Sequence, residues 1–344
     1  MTRLTERNRL RAVLNRVTVD RPPVICPGGM MNAAIVEIMQ ETGHILPAAH
    51  LDPALMAALA GDVHQATGFE NLGVPFCMTV EAEVFGSDIN LGSLECEPKI
   101  QREAFASVTE VVETPIETLL TRGRVPVVAA AVRLLAARYP DVPVLGNLTG
   151  PISTAASIVD PMRFLKELRK ERAHAHRVMA YVTEFLLAYA RLLGESGVTA
   201  IAIGDPTATG EILGPKMFDE YALQYLNRLI DGLQADGLPV LLHICGNMNV
   251  ARPLIPLLHS NAISTDALVN LRVLKEDFPS LITMGNLSTY LLESGPAEAI
   301  ARQTRRLVRD GINIIAPACG LSTATKITHI QALTSTTKAQ GESV

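Results

Sequence analysis

Short apolar and β-branched runs, each ending in a polar or Gly/Pro turn, recur along the chain, with helix-favouring stretches between most of them. Eight such runs are predicted strands: 22–29 (PPVICPGG), 69–76 (FENLGVPF), 142–151 (VPVLGNLTGP), 198–206 (VTAIAIGDP), 238–246 (LPVLLHICG), 261–267 (NAISTDA), 281–287 (LITMGNL) and 311–320 (GINIIAPACG). Asp160-Pro161 is an N-cap and first-turn pair that opens a long helical stretch, and Gly214-Pro215 introduces another. Eight strands alternating with helices predict a (β/α)₈ TIM barrel, read as a single α/β domain over residues 1–344. Residues 77–100 alternate apolar and acidic positions around Gly86 and Gly92, which predicts a β-hairpin excursion after the second strand.

Barrels of this kind carry their chemistry at the C-terminal ends of the strands. Those ends hold Cys26 and Pro27, Pro75 and Phe76, Asn147 and Thr149, Asp205 and Thr207, His243 and Cys245, Asp266, Asn286, and Cys319. Polar and metal-ligating groups therefore collect at one end. His243 and Cys245 are two apart on a strand, so their side chains share a face. Cys319 ends the last strand much as Cys245 ends the fifth, and a glycine follows each cysteine, letting the chain turn away. One imidazole and two thiolates suit zinc and leave a fourth position open, as catalytic sites do. A buried histidine with two buried cysteines is the competing reading of the same spacing.

Composition narrows the classes. The chain has 344 residues, 48% of them hydrophobic, and a formal net charge of -5, so it offers no basic face for nucleic acid. No apolar run is long enough to span a membrane, and the charged start lacks the core of a signal peptide; a cytoplasmic protein is expected. Five cysteines are too few for a disulfide framework in a chain of this length. His174 and His176 lie two apart on a predicted helix, point in different directions and are expected at the solvated surface. The stretch from Asp62 to Gly68 is one residue too long for the D-x-H-x-x-G of corrinoid-binding domains. His259 suits a helix C-terminal cap.

Taken together, TERNRLRAVLNRVTVDRPPV, NLGVPFCMTVEAEVFGSDI, GNLTGPIS, GDPTATGEILGPKMFDEY, HICGN, STDA, MGNLST and GINIIAPACG resemble the uroporphyrinogen decarboxylase superfamily over nearly the whole chain. The resemblance is to its methylcobamide:coenzyme M methyltransferase-like branch. It implies zinc on His243, Cys245 and Cys319, and methyl transfer between a methylated corrinoid and a thiol such as coenzyme M. The alternative within the family is a corrinoid-linked demethylase that moves methyl from a small ether or amine to cob(I)alamin. A uroporphyrinogen decarboxylase is disfavoured, because the arginine-rich segment that family carries after the first strand reads ICPGGMMN here. A zinc-binding barrel without catalysis is the remaining alternative. Since the chain stops soon after THIQALTSTTKAQGESV, the corrinoid is expected on a separate protein. Asp205 and Glu81 are candidate catalytic carboxylates; Asn147, Thr207 and Asn286 are candidates to orient substrate.

Overall fold

The computed structural model describes residues 4–341. Its strands are β1 (Leu72–Val74), β2 (Asp88–Asn90), β3 (Lys99–Arg102), β4 (Val144–Thr149), β5 (Ala200–Gly204), β6 (Val240–Ile244), β7 (Ala262–Thr265) and β8 (Thr283–Met284). Six of them form one parallel sheet in the order β1-β4-β5-β6-β7-β8, each next to its successor in the chain. Helices connect most of these strands, including 125–138, 172–196, 224–235 and 271–277. Every residue of β4, β5, β6 and β7 is buried, because a parallel sheet wrapped by helices is covered on both faces.

The first and last predicted strands are the ones that fall short of regular strands. Val24 bridges Ile315, while Ile314 bridges Met284 and Pro317 bridges Leu287. Pro22, Pro23, Pro27 and Pro317 have no N–H to give, which interrupts a continuous ladder. Single bonds still carry the ring around the gap. Ile25 N donates to Ile315 O at 2.9 Å, and Glu70 N donates to Val24 O at 2.8 Å. Asn71 extends the pairing with its side chain: its Oδ1 accepts from Cys26 N at 2.8 Å and its Nδ2 donates to Cys26 O at 2.9 Å. The result is a (β/α)₈ barrel with six regular strands and two bridging segments.

The predicted hairpin is present but begins later. β2 and β3 pair antiparallel, whereas Val80–Val84 form a short helix. Its Val-Glu-Ala-Glu-Val pattern alternates like a strand, yet the buried Glu81 carboxylate binds Thr149 and holds this turn against β4. Asp160 caps the helix from Pro161 as expected, its carboxylate accepting from Arg163 N. The stretch after Pro215 departs from a plain helix, passing through a π-helical segment at Phe218–Leu223.

Two buried polar features bear on stability. Glu70, almost fully buried, accepts from Arg21 Nη1 and Nη2 at 2.7 and 2.6 Å, from Arg9 Nη1 at 3.1 Å and from Val24 N at 3.0 Å. Burial works to raise its pKa, but the Arg21 bonds and charge outweigh burial and hold it below the usual range. His50 is fully buried and neither ring nitrogen has a partner. Burial, and then the charge of Arg124, pull its pKa down to about 3.

The unfolded chain thus binds a proton that folded His50 refuses, so its contribution is complete above about pH 6.5 and is lost as pH falls below that. Between pH 7 and 5.5 the protein should lose about 1 kcal/mol of unfolding free energy that His50→Leu does not lose. Urea denaturation of both proteins at the two pH values measures it, and equal losses would rule the effect out. No helix among the described residues is long and apolar enough to cross a membrane.

Candidate metal centre at the barrel mouth

β6 ends by pointing His243 inward, and Cys245 follows one residue past the strand. Cys319 arrives from the loop after the last bridging segment. The three ligand atoms lie within 4.8 Å of one another. Ligands sharing one tetrahedral ion at ~2.0–2.3 Å stand roughly 3.5 Å apart, so small side-chain rotations suffice.

The imidazole carries the clearest sign of a missing partner. Its Nδ1 is 2.9 Å from Ser264 Oγ, while its buried Nε2 has no hydrogen-bond partner. Ser264 lies directly across from His243 in the β6–β7 register. With Nδ1–H donating to Ser264, Nε2 keeps its lone pair free for a cation. Ser264→Ala should leave the fold intact but weaken the affinity for an added divalent metal about tenfold, read by competition with a chromophoric chelator. Unchanged affinity would mean that Ser264 has no part in orienting the ring.

Cys245 Sγ and Cys319 Sγ are 3.4 Å apart and share one hydrogen bond. That bond, with burial adding to it, pushes Cys245 up; the same bond pulls Cys319 down, against burial and the charges of Asp266 and Glu97. Such a pair gives up its protons in two separated steps. A divalent cation would take the place of both protons.

The two glycines serve different ends. Gly246, at φ +76°, makes the turn expected after Cys245. Gly320 has no left-handed conformation; a Cβ there would lie 2.4 Å from Met30 O, so it is needed for close approach of the 27–31 loop.

The other predicted site residues lie at the same ends of the strands and are engaged in hydrogen bonds between loops. Asp205 is fully buried at the end of β5, and its carboxylate accepts from Ile152 N at 3.1 Å, Ser153 N at 2.8 Å and Ser153 Oγ at 2.6 Å. Burial pushes its pKa up to about 6, against those bonds. Glu81 accepts from Thr149 N at 2.8 Å and Thr149 Oγ1 at 2.9 Å, and burial pushes it up as well. Asn147 donates to Pro27 O at 2.7 Å and lines the narrow crevice beneath the mouth with Met30 and His243. Thr207 N donates to Ser153 Oγ at 2.9 Å, and Asn286 Nδ2 donates to Asp266 O and Val269 O. These groups join one strand-end loop to the next.

Asp266 stood among the strand ends without a role, yet its Oδ2 is 3.5 Å from Cys245 Sγ. Ser264 was missed, and only its register opposite His243 could have revealed it. His174 is exposed as expected, but His176 is half-buried: its ring stacks on Tyr221 at 4.4 Å between centroids and its Nδ1 lies 2.9 Å from Tyr225 Oη. The helix packs that face against the 218–235 segment, which helical spacing alone could not tell. His259 pairs through Nδ1 with Asp231 Oδ1 at 2.7 Å instead of capping with its side chain.

A (β/α)₈ barrel with one imidazole and two thiols converging at its mouth is a barrel with a candidate soft-metal centre. The chain matches the family described as "Uroporphyrinogen decarboxylase (URO-D)" over residues 5–340 and belongs to that family. It is 31% identical over 333 residues to "Methylcobamide:CoM methyltransferase MtbA" of Methanosarcina acetivorans, covering 96% of this chain and 97% of that one. It is 30% identical over 340 residues to "Methylcobamide:CoM methyltransferase MtaA" of Methanosarcina barkeri, covering 97% of each. Among solved structures, a "methyltransferase from Methanosarcina mazei" superposes with a TM-score of 0.91 at 29% identity, covering 98% of this chain and 99% of that one.

Proposed function

We propose that the protein is a zinc-dependent methyltransferase that moves a methyl group from a methylated corrinoid, carried by a separate protein, to a small thiol. The observation that carries this reading is the convergence of Cys245, Cys319 and the unpartnered, buried His243 Nε2. Two thiolates and an imidazole are a soft donor set suited to zinc, and the orphaned nitrogen fits the third bond. The names of the relatives supply the corrinoid and the thiol.

Bound there, zinc would favour ionisation of a thiol, which at a pKa of about 8.5 is only a few per cent thiolate at neutral pH; full ionisation is worth about 2 kcal/mol. The chain's own residues do the rest. Ser264 fixes the His243 ring, and the Asp205 and Glu81 carboxylates lock the loops after β4 and β5 by binding backbone and hydroxyl donors. Asn147 and Asn286 tie neighbouring loops so that the mouth keeps its shape, while Thr207 sits on the rim. Asp266, beside Cys245, is placed to supply an oxygen to the metal or to take up the thiol proton. The thiol sulfur attacks the methyl carbon, the C–S bond forms, and the cobalt–carbon bond breaks with its electron pair left on cobalt. The larger part of the rate must come from in-line alignment of sulfur and methyl.

Incubation with free methylcobalamin and a thiol, followed by visible spectroscopy, tests this reading. Demethylation of the cofactor with formation of the thioether is expected, together with no coproporphyrinogen from uroporphyrinogen. If cob(I)alamin is instead methylated by an ether or amine, the direction is reversed. Decarboxylation would overturn the branch altogether.

A further inference from the structure

The candidate centre sits inside an arc of negative charge. Asp266 Oδ2 is 3.5 Å from Cys245 Sγ. Glu211 packs beside the residue after Cys245: a Cβ on Gly246 would lie 3.3 Å from its Oε2. Glu97 reaches in from the β2–β3 hairpin, its Oε1 3.4 Å from Asn32 Nδ2, and stands with Asp266 within electrostatic reach of Cys319.

Among the described residues one guanidinium reaches this end from another element: Arg124, which donates to Cys77 Sγ and Thr79 Oγ1 and is already paired with Glu83. The stretches that follow the barrel strands and bridging segments at this end (26–35, 75–79, 150–158, 205–215, 245–251, 266–271, 285–301 and 316–325) contain no lysine or arginine. Of the basic residues that come next along the chain, Arg252 pairs with Asp277 and Arg272 with Glu276, while Lys216, Arg302 and Lys326 are exposed. On the hairpin, Arg102 pairs with Asp88, and Lys99 lies on the exposed β3. A zinc ion offset by two thiolates adds no net positive charge.

We propose that this mouth ranks thiols by the charge of their tails, favouring a neutral or cationic thiol over one that carries a sulfonate, carboxylate or phosphate. This rests on the methyl-transfer reading of the same site. Coenzyme M, whose reactive group is a thiol and whose tail is a sulfonate, is then accepted but as the weaker acceptor. Taking each of the three carboxylates at roughly 8 Å from an anionic tail in a water-like medium, together they lower its affinity about tenfold relative to a neutral tail of equal length.

Three two-carbon thiols that differ only in their tail provide the test: 2-aminoethanethiol, 2-mercaptoethanol and coenzyme M. Binding to the full-length protein loaded with cobalt(II) in place of zinc is read from the visible spectrum, corrected for each thiol's own ionisation. Methyl transfer from methylcobalamin to the zinc form is measured alongside. Coenzyme M should bind about tenfold more weakly than 2-mercaptoethanol at low ionic strength, and the gap should close as salt is added. In Glu97→Gln, Glu211→Gln the gap should narrow to about threefold or less. Tightest binding of coenzyme M, or a gap that neither salt nor the double variant moves, overturns the inference and leaves the methyltransferase reading standing. If none of the three thiols enters the metal's coordination sphere, both fall together.

Discussion

Cys245→Ser, Cys319→Ser is expected to fold normally and to retain less than about a tenth of the wild-type zinc. Serine preserves the size of each side chain but replaces a soft thiolate with a hydroxyl that stays protonated near neutral pH. His243 Nε2 would remain, with the Asp266 carboxylate next to position 245, and one imidazole and one carboxylate hold a divalent ion only weakly against water. Methyl transfer should fall on the order of a thousandfold: lost ionisation of the thiol accounts for about thirtyfold, and the rest comes from a sulfur no longer held in line with the methyl group. Elemental analysis beside circular dichroism separates metal loss from unfolding. Full zinc in a folded double variant would place the metal elsewhere and remove the basis of the proposed mechanism.

Glu70→Ala is expected to have the largest effect on folding. The carboxylate lies between Arg9 and Arg21 and also accepts from Val24 N, so it joins the amino-terminal helix, the first bridging segment and the approach to β1. Its removal leaves the buried Arg21 without its carboxylate, beside an Arg9 held by Asp20 alone, at a cost of about 3–5 kcal/mol. In a chain of this length that corresponds to a drop of roughly 4–7 °C in Tm. A Tm within roughly 2 °C of wild type would show that the barrel's first segment is held by its apolar contacts alone.

The parts of this protein legible in the sequence are those governed by local spacing. His243 and Cys245 share a strand face because of their separation, and β4 to β7 are continuous apolar runs because both faces are buried. Parts set by contacts between distant segments were not legible. The segment at 22–29 looks like a strand by composition, but its prolines leave one bridge to the last segment, Val24 to Ile315, and the Asn71 side chain makes up part of the pairing. Glu81 and Asp205 are polar residues near strand ends, as catalytic groups would be; only the coordinates show their oxygens bonded to Thr149 and Ser153. Ser264 and Asp266 join the centre through strand register and loop path, about twenty residues from the ligands they accompany.

The contact between Gly320 and Met30 O carries a consequence for the order in which the protein matures. The loop that brings Cys319 to the mouth rests on the 27–31 loop, so the last ligand is positioned when these two distant segments meet. During synthesis the first loop waits through almost three hundred residues before its counterpart exists. A nascent or prematurely terminated chain can therefore display His243 and Cys245, but it cannot complete the centre. The candidate centre is closed by the same event that closes the barrel, so ligand assembly and completion of the fold are one step.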